Sequence, residues 1–405
     1  MAVFAAVTST TLVYEPRIVI PTFGLILVAI LTGFMIYKWK VNQAVATLIG
    51  LALLLVLLIL GYHYPISLGV AGSTKIWIAM LLLYAFIASI TPVNVLLRPR
   101  DYLSTFILFF GLFFGYLGLL FSHPTMHTPA FIRWSGSQGT LWPMLFVIIA
   151  CGAISGFHSL IASGTTSKQL AKERDARKIA YGGMVLEGVL ATLALLAVAA
   201  GLYWTAGSGQ EGLVYPELIK GGNWIVTFAK GFGQIAAPLL GTTFGPLVAM
   251  IMLNSFVMIT LDTGTRINRY ITEELFGEGL KWKIFENRYV STAVIIFFAG
   301  YLAFGNWKAI WPIFRASNQL VAALTLLVVT MYLWGMKQPT KYTIYPGIFV
   351  LLTTTGALVY QVRGFIATQN YLLAMIGVIL LILAVFIVRE GLVSGQEGKT
   401  GLKLR

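Results

Sequence analysis

Three ionisable side chains lie inside apolar stretches of the sequence, and they are the first candidates for chemistry: His158, Glu187 and Asp262. Ionisable groups are costly within a bilayer, so they normally pair with one another or line a water-filled cavity. His158 and Glu187 therefore have two interpretations: proton-handling groups beside a pathway, or side chains satisfied by neighbouring helices. For Asp262 we favour a structural role, because Arg266 follows four residues later, at the spacing of a helical ion pair.

His158 occurs in "CGAISGFHSLIASGTTSKQL" (residues 151–170), a stretch rich in Gly, Ser and Thr. No second histidine follows at metal-ligand spacing, and the chain has neither a Gly-x-Ser-x-Gly elbow nor a convincing Ser–His–Asp set. The single cysteine, Cys151, excludes a disulfide framework and a cysteine-built zinc site. We therefore predict a protein that is not an enzyme and that uses no cofactor and no metal.

The elements that carry these residues are predicted to be membrane-spanning helices. Hydrophobic residues make up 58% of the chain and charged residues 10%, against about 25% charged residues in soluble domains. Runs of roughly 20 apolar residues, long enough for a helix to cross a bilayer, recur throughout. They are continuous and Leu-rich, unlike the alternating strands of a barrel. The predicted fold class is an all-α polytopic membrane protein with about eleven transmembrane helices, at residues 18–37, 43–62, 76–97, 102–121, 143–163, 179–203, 238–262, 289–304, 320–335, 343–360 and 371–388.

The net charge of +14 is predicted to reflect topology. Lysines and arginines cluster in every second loop, and cytoplasmic loops carry the excess of such residues. The alternation places the N-terminus outside and the C-terminus in the cytoplasm, with a transmembrane domain over residues 1–388 and a cytoplasmic tail over 389–405. Because the basic residues lie in short clusters between apolar spans, we expect no nucleic-acid partner.

The first 17 residues, "MAVFAAVTSTTLVYEPR", lack the basic region and cleavage site of a signal peptide. They are predicted to be part of an extracellular loop whose preceding span is missing.

Three spans contain helix breakers among polar residues: "ASITPVN" (88–94), "APLLGTTFGP" (237–246) and the stretch at 151–170. Unwound backbone at membrane depth is tolerated only inside protein or beside water, and transporters bind substrate and ions at such breaks. Small residues and kinks also serve helix packing. Three breaks, with His158 and Glu187 near one of them, favour a solute pathway.

Five ordered blocks carry a resemblance to a known family. "ACGAISGFHSLIASGTTSKQLAKE" (150–173) resembles the signature of the carbon starvation protein A (CstA) family of peptide transporters. The resemblance covers roughly residues 21–337, and the family's N-terminal third has no counterpart here. The other blocks are "YAFIASITPVNVLLRPRDYLSTF" (84–106), "YGGMVLEGVLA" (181–191), "TLDTGTRINRYITEEL" (260–275) and "IWPIFRASNQLVAAL" (310–324).

The resemblance implies part of a five-plus-five inverted-repeat transporter fold with broken helices. Residues 76–97 would be the sixth helix. Residues 143–163 would be the eighth, which in such folds lends hydroxyls to a coupling-cation site. The hydroxyls of 151–170 would then be ion ligands or helix caps. The expected substrate and ion pathway comprises Ser155, His158, Ser159, Ser163, Thr165, Thr166, Glu187, Thr91, Asn94, Asn318 and Gln319.

The function implied by the resemblance is secondary transport of peptides or amino acids across a bacterial or archaeal inner membrane under carbon starvation, a stress response. The expected partners are the solute, a coupling proton or sodium ion, and the lipid bilayer. The alternative is an inactive fragment, or a subunit that needs a separately encoded N-terminal part.

Overall fold

A computed structural model describes the chain except for residues 71, 137–138, 150–151, 153, 206, 208–210, 221–223, 306 and 398–405. Cys151 thus lies outside the described residues, as does the end of the predicted tail. The described part is almost entirely helical, with one two-stranded antiparallel ribbon, β1 (Ser135–Gly136) and β2 (Gly139–Thr140). The helices are α1 (Ala2–Tyr14), α2 (Val19–Gly33), α3 (Gln43–His63), α4 (Ser73–Ile90), α5 (Leu97–Ser122), α6 (Phe146–Ile148), α7 (Gly156–Ile161), α8 (Asp175–Gly201), α9 (Tyr215–Lys220), α10 (Trp224–Thr272), α11 (Arg288–Phe304), α12 (Trp307–Gly335), α13 (Lys341–Ala367) and α14 (Tyr371–Glu397).

Short tighter or wider helical turns extend several of these elements. Wide π-type turns are found at Phe34–Lys38, Leu141–Leu145, Ala162–Thr166 and Glu273–Gly279, and 3-10 turns at Pro16–Ile18, Ser167–Gln169 and Lys283–Glu286.

Eight of the described helical segments are long and apolar enough to cross a membrane. Shorter apolar helices cover Ala2–Tyr14, Arg288–Phe304 and Tyr371–Phe386. The chain is an all-α polytopic membrane protein, as predicted. The eight segments are Pro16–Lys38, Gln43–His63, Ser73–Ile90, Leu97–Ser122, Asp175–Gly201, Trp224–Gly279, Trp307–Gly335 and Lys341–Ala367.

Local sequence explains where several helices begin and end. Asn42 and Asn287 precede α3 and α11, and each side chain accepts a hydrogen bond from a backbone N–H of the first turn, at 2.8 and 2.9 Å. Helix α4 ends at Ile90 because Pro92 lacks a donor and forces Thr91 into an extended conformation. The predicted break in span 76–97 is therefore confirmed, although the span itself ends early.

The N-terminal prediction was wrong in one respect. Residues 2–14 form helix α1, which is largely buried, rather than an extracellular loop. The polar residues of this segment are compatible with burial, because the hydroxyls of Ser9 and Thr11 donate hydrogen bonds to carbonyls of the same helix at 2.8 and 2.9 Å. A helix of 13 residues is also too short to be recognised as a span by hydropathy.

Three predicted spans have different bounds in the structure. Residues 143–163 are not one continuous helix: their described part includes part of a wide turn, α6, the extended residue Ser155, α7 and the start of another wide turn. The span predicted at 238–262 is the central part of α10, which bends at Gly241, where φ is 73°. The span predicted at 320–335 belongs to the longer helix α12, which has 29 residues.

The chain divides into two compact units. The first comprises Met1–Ala130 and Val189–Trp307, and the second Phe131–Gly188 and Lys308–Arg405. The first unit has its core around α10, where side chains such as Phe232, Met252 and Leu261 are buried. In the second unit a smaller apolar cluster joins Met144 and Val147 to α12, α13 and α14.

Candidate functional site

The broken span of the second unit carries six of the predicted pathway residues: Ser155, His158, Ser159, Ser163, Thr165 and Thr166. Ser155 is extended, with φ −119° and ψ 123°, and α7 begins at Gly156 with Ser155 as its N-cap. The Ser155 hydroxyl accepts a hydrogen bond from the backbone N–H of His158 at 3.3 Å. The helix-cap role expected for one of these hydroxyls is therefore present at Ser155.

Asn318 of α12 reaches into this break. Its Oδ1 accepts a hydrogen bond from the backbone N–H of Phe157 at 2.7 Å, and the Ser155 hydroxyl lies 3.4 Å from Oδ1 and 3.3 Å from Nδ2. Asn318 is buried. The freed backbone of the break is thus satisfied by a side chain from a long neighbouring helix.

Helices α7 and α12 approach each other closely at Gly156. A Cβ atom at this position would overlap the carbonyl oxygen of Asn318 and would lie 2.5 Å from Val321 Cβ, so only glycine fits. One turn later the Ser159 hydroxyl donates to the Gly156 carbonyl at 2.6 Å and lies 2.9 Å from the Thr325 hydroxyl. Ser159 and Thr325 therefore belong to a packing contact, and Thr325 was not predicted.

The structure brings His158 and Glu187 together. His158 Nδ1 lies 3.5 Å from Glu187 Oε1, and the two side chains are 50% and 35% exposed. Glu187 is in the part of α8 that belongs to the second unit. A histidine and a carboxylate that face each other and remain accessible can share and exchange a proton.

The remaining predicted residues of the second unit make local contacts. Gln319 is buried and donates to the Phe146 carbonyl at 3.4 Å, while its Oε1 has no hydrogen-bond partner among the described residues. Ser163 is exposed and donates to the Leu160 carbonyl, and the Thr165 hydroxyl is buried without a partner in the described part of the chain. Thr166 lies with them in the wide turn Ala162–Thr166.

Thr91 and Asn94 belong to the first unit, at the break after α4. The Thr91 hydroxyl donates to the Ile87 carbonyl at 2.7 Å, and its own carbonyl accepts a hydrogen bond from Arg266 at 2.6 Å. Asn94 is exposed in the following turn. Thr91 therefore contacts Arg266 of α10 within the first unit.

The interpretation of Asp262 was wrong about its partner. Asp262 pairs with Arg100 of α5 and accepts a hydrogen bond from the Tyr84 hydroxyl at 2.7 Å, whereas Arg266 donates to the Ala88 and Thr91 carbonyls. One sequence feature did mark Arg100 as a candidate partner: it lies between the predicted spans 76–97 and 102–121. The i,i+4 spacing pointed to Arg266, since local spacing only reveals partners within one helix. Arg100 is 162 residues away from Asp262 in the sequence.

Among the described residues, no group of three or more His, Cys, Asp and Glu side chains is placed to hold a metal ion. The chemistry that this geometry offers is proton exchange and hydrogen bonding at helix breaks.

Comparison with known proteins identifies the family to which this chain belongs. The family model for "Carbon starvation protein CstA" matches residues 1–211 and 216–357. The chain belongs to the CstA family. The match begins at residue 1 and extends to 357, so the predicted range of 21–337 was too narrow.

Three curated relatives of this CstA-family chain are named as transporters. The pyruvate/proton symporter BtsT of Escherichia coli (strain K12) is 33% identical over 353 residues, covering 68% of this chain and 49% of the relative. The peptide transporter CstA of Helicobacter pylori (strain ATCC 700392 / 26695) is 30% identical over 389 residues, covering 81% and 56%. The peptide transporter CstA of Bacillus subtilis (strain 168) is 29% identical over 404 residues, covering 87% and 66%.

The chain thus spans about half the length of the first two relatives and 66% of the third. The names of these relatives point to a role other than catalysis. No solved structure matches the chain. The five-plus-five inverted repeat implied by the resemblance stays a prediction.

Proposed function

We propose that this CstA-family protein is a secondary transporter of peptides, amino acids or small carboxylates, driven by a proton gradient. The observation that carries the proposal is the broken helix of the second unit, at which the accessible His158 and Glu187 side chains face each other 3.5 Å apart. A continuous apolar helix would need neither the break nor the pair, since both are costly in a bilayer.

The family supports the choice of solute. The relatives are named as peptide transporters and as a pyruvate/proton symporter. Peptides, amino acids and pyruvate all carry a carboxylate, and the polar groups at the break, Ser155 and Asn318, can hydrogen-bond to carboxylate or amide groups. The alternative, an inactive fragment or a subunit of a split carrier, is favoured by none of these names.

A proton is preferred over sodium as the coupling ion. One relative is named as a proton symporter, and the His158–Glu187 pair is a titratable arrangement.

The location proposed is the bacterial or archaeal inner membrane, with the N-terminus outside and the C-terminus in the cytoplasm. Support comes from the charge alternation of the loops. Use under carbon starvation is proposed from the family's description.

The proposal is tested by reconstituting the full chain in liposomes with the membrane potential clamped. Uptake of labelled pyruvate, alanine and trialanine is measured with a pH gradient, a sodium gradient or no gradient. One pH unit corresponds to about 1.4 kcal/mol, so one proton per solute supports up to about tenfold accumulation of at least one of the three solutes.

The accumulation should collapse when a protonophore is added, and the sodium gradient alone should have no effect. Protein-free liposomes provide the baseline. The absence of uptake of all three solutes under every gradient would refute the proposal, and accumulation driven by sodium alone would replace the proton by sodium.

A further inference from the structure

A closed ring of three side chains lies within the first unit. Arg100 of α5 donates to Asp262 Oδ2 of α10 and, at 2.6 Å, to the hydroxyl of Tyr84 of α4. Tyr84 donates to the same Asp262 oxygen at 2.7 Å. The Arg100 and Asp262 side chains are only 1% and 2% exposed. The ring therefore joins three helices through side chains that are almost fully buried.

The ring leaves one carboxylate oxygen free. Within the described part of the chain, Asp262 Oδ1 is buried and has no hydrogen-bond partner, and the same is true of Arg100 Nε. A purely structural Arg–Asp pair would be expected to use both oxygens and two guanidinium nitrogens, since the two-point arrangement is the stronger one. A proton can bind to Oδ1 without displacing either hydrogen bond at Oδ2.

The charges around Asp262 are nearly balanced. Helix α5 contributes Arg100 and Asp101, α4 contributes Tyr84, and α10 itself contributes Arg266 one turn away. With Tyr84 neutral, two guanidinium groups face two carboxylates. One added proton leaves an excess positive charge in a buried site, and such a charge is costly unless the structure rearranges.

Hydrogen bonds connect the region around Asp262 to the break after α4. Arg266 donates to the carbonyls of Ala88 and Thr91, both at 2.6 Å, where α4 ends. Tyr84 lies on the same end of α4. Two residues of α10 thus bind the C-terminal part of α4, next to the non-helical turn at 91–96. Asp262 binds the Tyr84 side chain, and Arg266 binds backbone carbonyls.

From this geometry we infer that Asp262 is a proton-binding site of the transport cycle, in addition to the His158–Glu187 pair of the second unit. The proton comes from water, binds to Oδ1 and returns to water, so no further reactant is needed. Protonation weakens the Arg100 pair and frees the turn between α4 and α5. The role of this proton in transport rests on the proposed function, whereas proton binding itself does not.

Proton binding is tested by infrared difference spectroscopy on the purified full chain across a pH series. The wild type should show a protonated-carboxyl band whose intensity titrates. Asp262→Asn should lack that band, and Tyr84→Phe should retain it with a shifted midpoint. The matched control is Glu15→Gln, which also removes a carboxylate from an arginine pair of the first unit, at 2.6 Å from Arg17, and should retain the band.

Asp262→Asn leaves Arg100 without a counter-ion and can fail to fold. The double variant Arg100→Gln/Asp262→Asn removes both charges, so it avoids a buried unpaired cation. Its spectrum should also lack the band. A titrating band that persists in the folded variant, or a wild type without any band dependent on Asp262, would overturn the inference and leave a structural ion pair.

Transport is the second measurement. In liposomes with a gradient of one pH unit, accumulation should fall from up to about tenfold to equilibration in the double variant, while solute exchange persists. Unchanged accumulation would show that the proton on Asp262 has no part in coupling. If the wild type transports nothing, the proposed function fails, and the infrared result still decides whether Asp262 binds a proton.

Discussion

At the scale of single residues, His158 and Glu187 combine proximity with access. Their 3.5 Å separation allows a shared proton, and their exposure allows that proton to be exchanged with water. Accessible ion pairs contribute only about 0–1 kcal/mol to stability. Substitutions here should therefore change function without preventing folding, which makes the pair suitable for testing.

We predict that Glu187→Gln retains solute exchange but loses uphill accumulation, because glutamine keeps the shape and hydrogen-bonding capacity of glutamate and cannot titrate. His158→Gln should raise the proton activity needed for half-maximal uptake. The measurement is uptake in liposomes with and without a pH gradient. Glu173→Gln, an exposed carboxylate of the same unit, is the control and should behave as the wild type. Normal accumulation in Glu187→Gln would assign the pair a structural role only.

Asn318 has a different role, because it satisfies backbone rather than handling charge. Asn318→Ala removes the acceptor of the 2.7 Å hydrogen bond from Phe157 N–H, and the loss of such a bond costs about 0.5–1.5 kcal/mol. We predict a lower midpoint of thermal unfolding in detergent, followed by circular dichroism. Ser317→Ala is the control: Ser317 bonds to the Phe314 carbonyl of its own helix, so little change is expected. Equal effects of the two variants would contradict the assigned role.

At the scale of elements, the break before α7 and the break after α4 are stabilised in the same way. A polar side chain from a neighbouring long helix takes up the backbone group that the break sets free. Asn318 of α12 accepts from Phe157 N–H, and Arg266 of α10 donates to the Thr91 carbonyl. Such partners are needed because lipid offers none.

The contact between α7 and α12 depends on the absence of a side chain at Gly156. We predict that Gly156→Ala lowers stability by about 1–3 kcal/mol through overpacking against Asn318 and Val321. At Gly183 of α8 an added methyl group would meet no packing neighbour within 4 Å among the described residues, so Gly183→Ala should stabilise its helix by up to about 1 kcal/mol. Thermal unfolding of the two variants should therefore shift in opposite directions. A stabilising effect of Gly156→Ala would show that the contact is looser than described.

At the scale of the whole molecule, the basic residues of alternate loops predict one orientation. Helix α8 has 27 residues and is about 40 Å long, enough to separate its two ends by a bilayer. In a chain with Cys151→Ser, a cysteine at Lys172 should react with an impermeant thiol reagent only from the cytoplasm. A cysteine at Glu211 should react only from outside. Labelling of both from the same side would refute the predicted topology.

The sequence alone determined the fold class and the places where helices break. Continuous apolar runs must form helices in a bilayer because backbone groups need partners within the segment, and Pro92 and Gly241 interrupt helices for local steric reasons. The sequence also singled out His158 and Glu187, since charged groups stand out within apolar runs.

Only the tertiary structure decided which groups meet. Arg100 and Asp262 are 162 residues apart, and Asn318 and Phe157 are 161 apart, so no local periodicity could pair them. Local spacing suggested Arg266 for Asp262, but packing of α4 and α5 on α10 directs Arg266 to the end of α4 instead. Helix α1 was missed for a related reason: it is short, and its burial depends on the helices that surround it. Local hydropathy and steric limits fix where helices form, whereas the partners of buried polar groups are set by packing between distant segments.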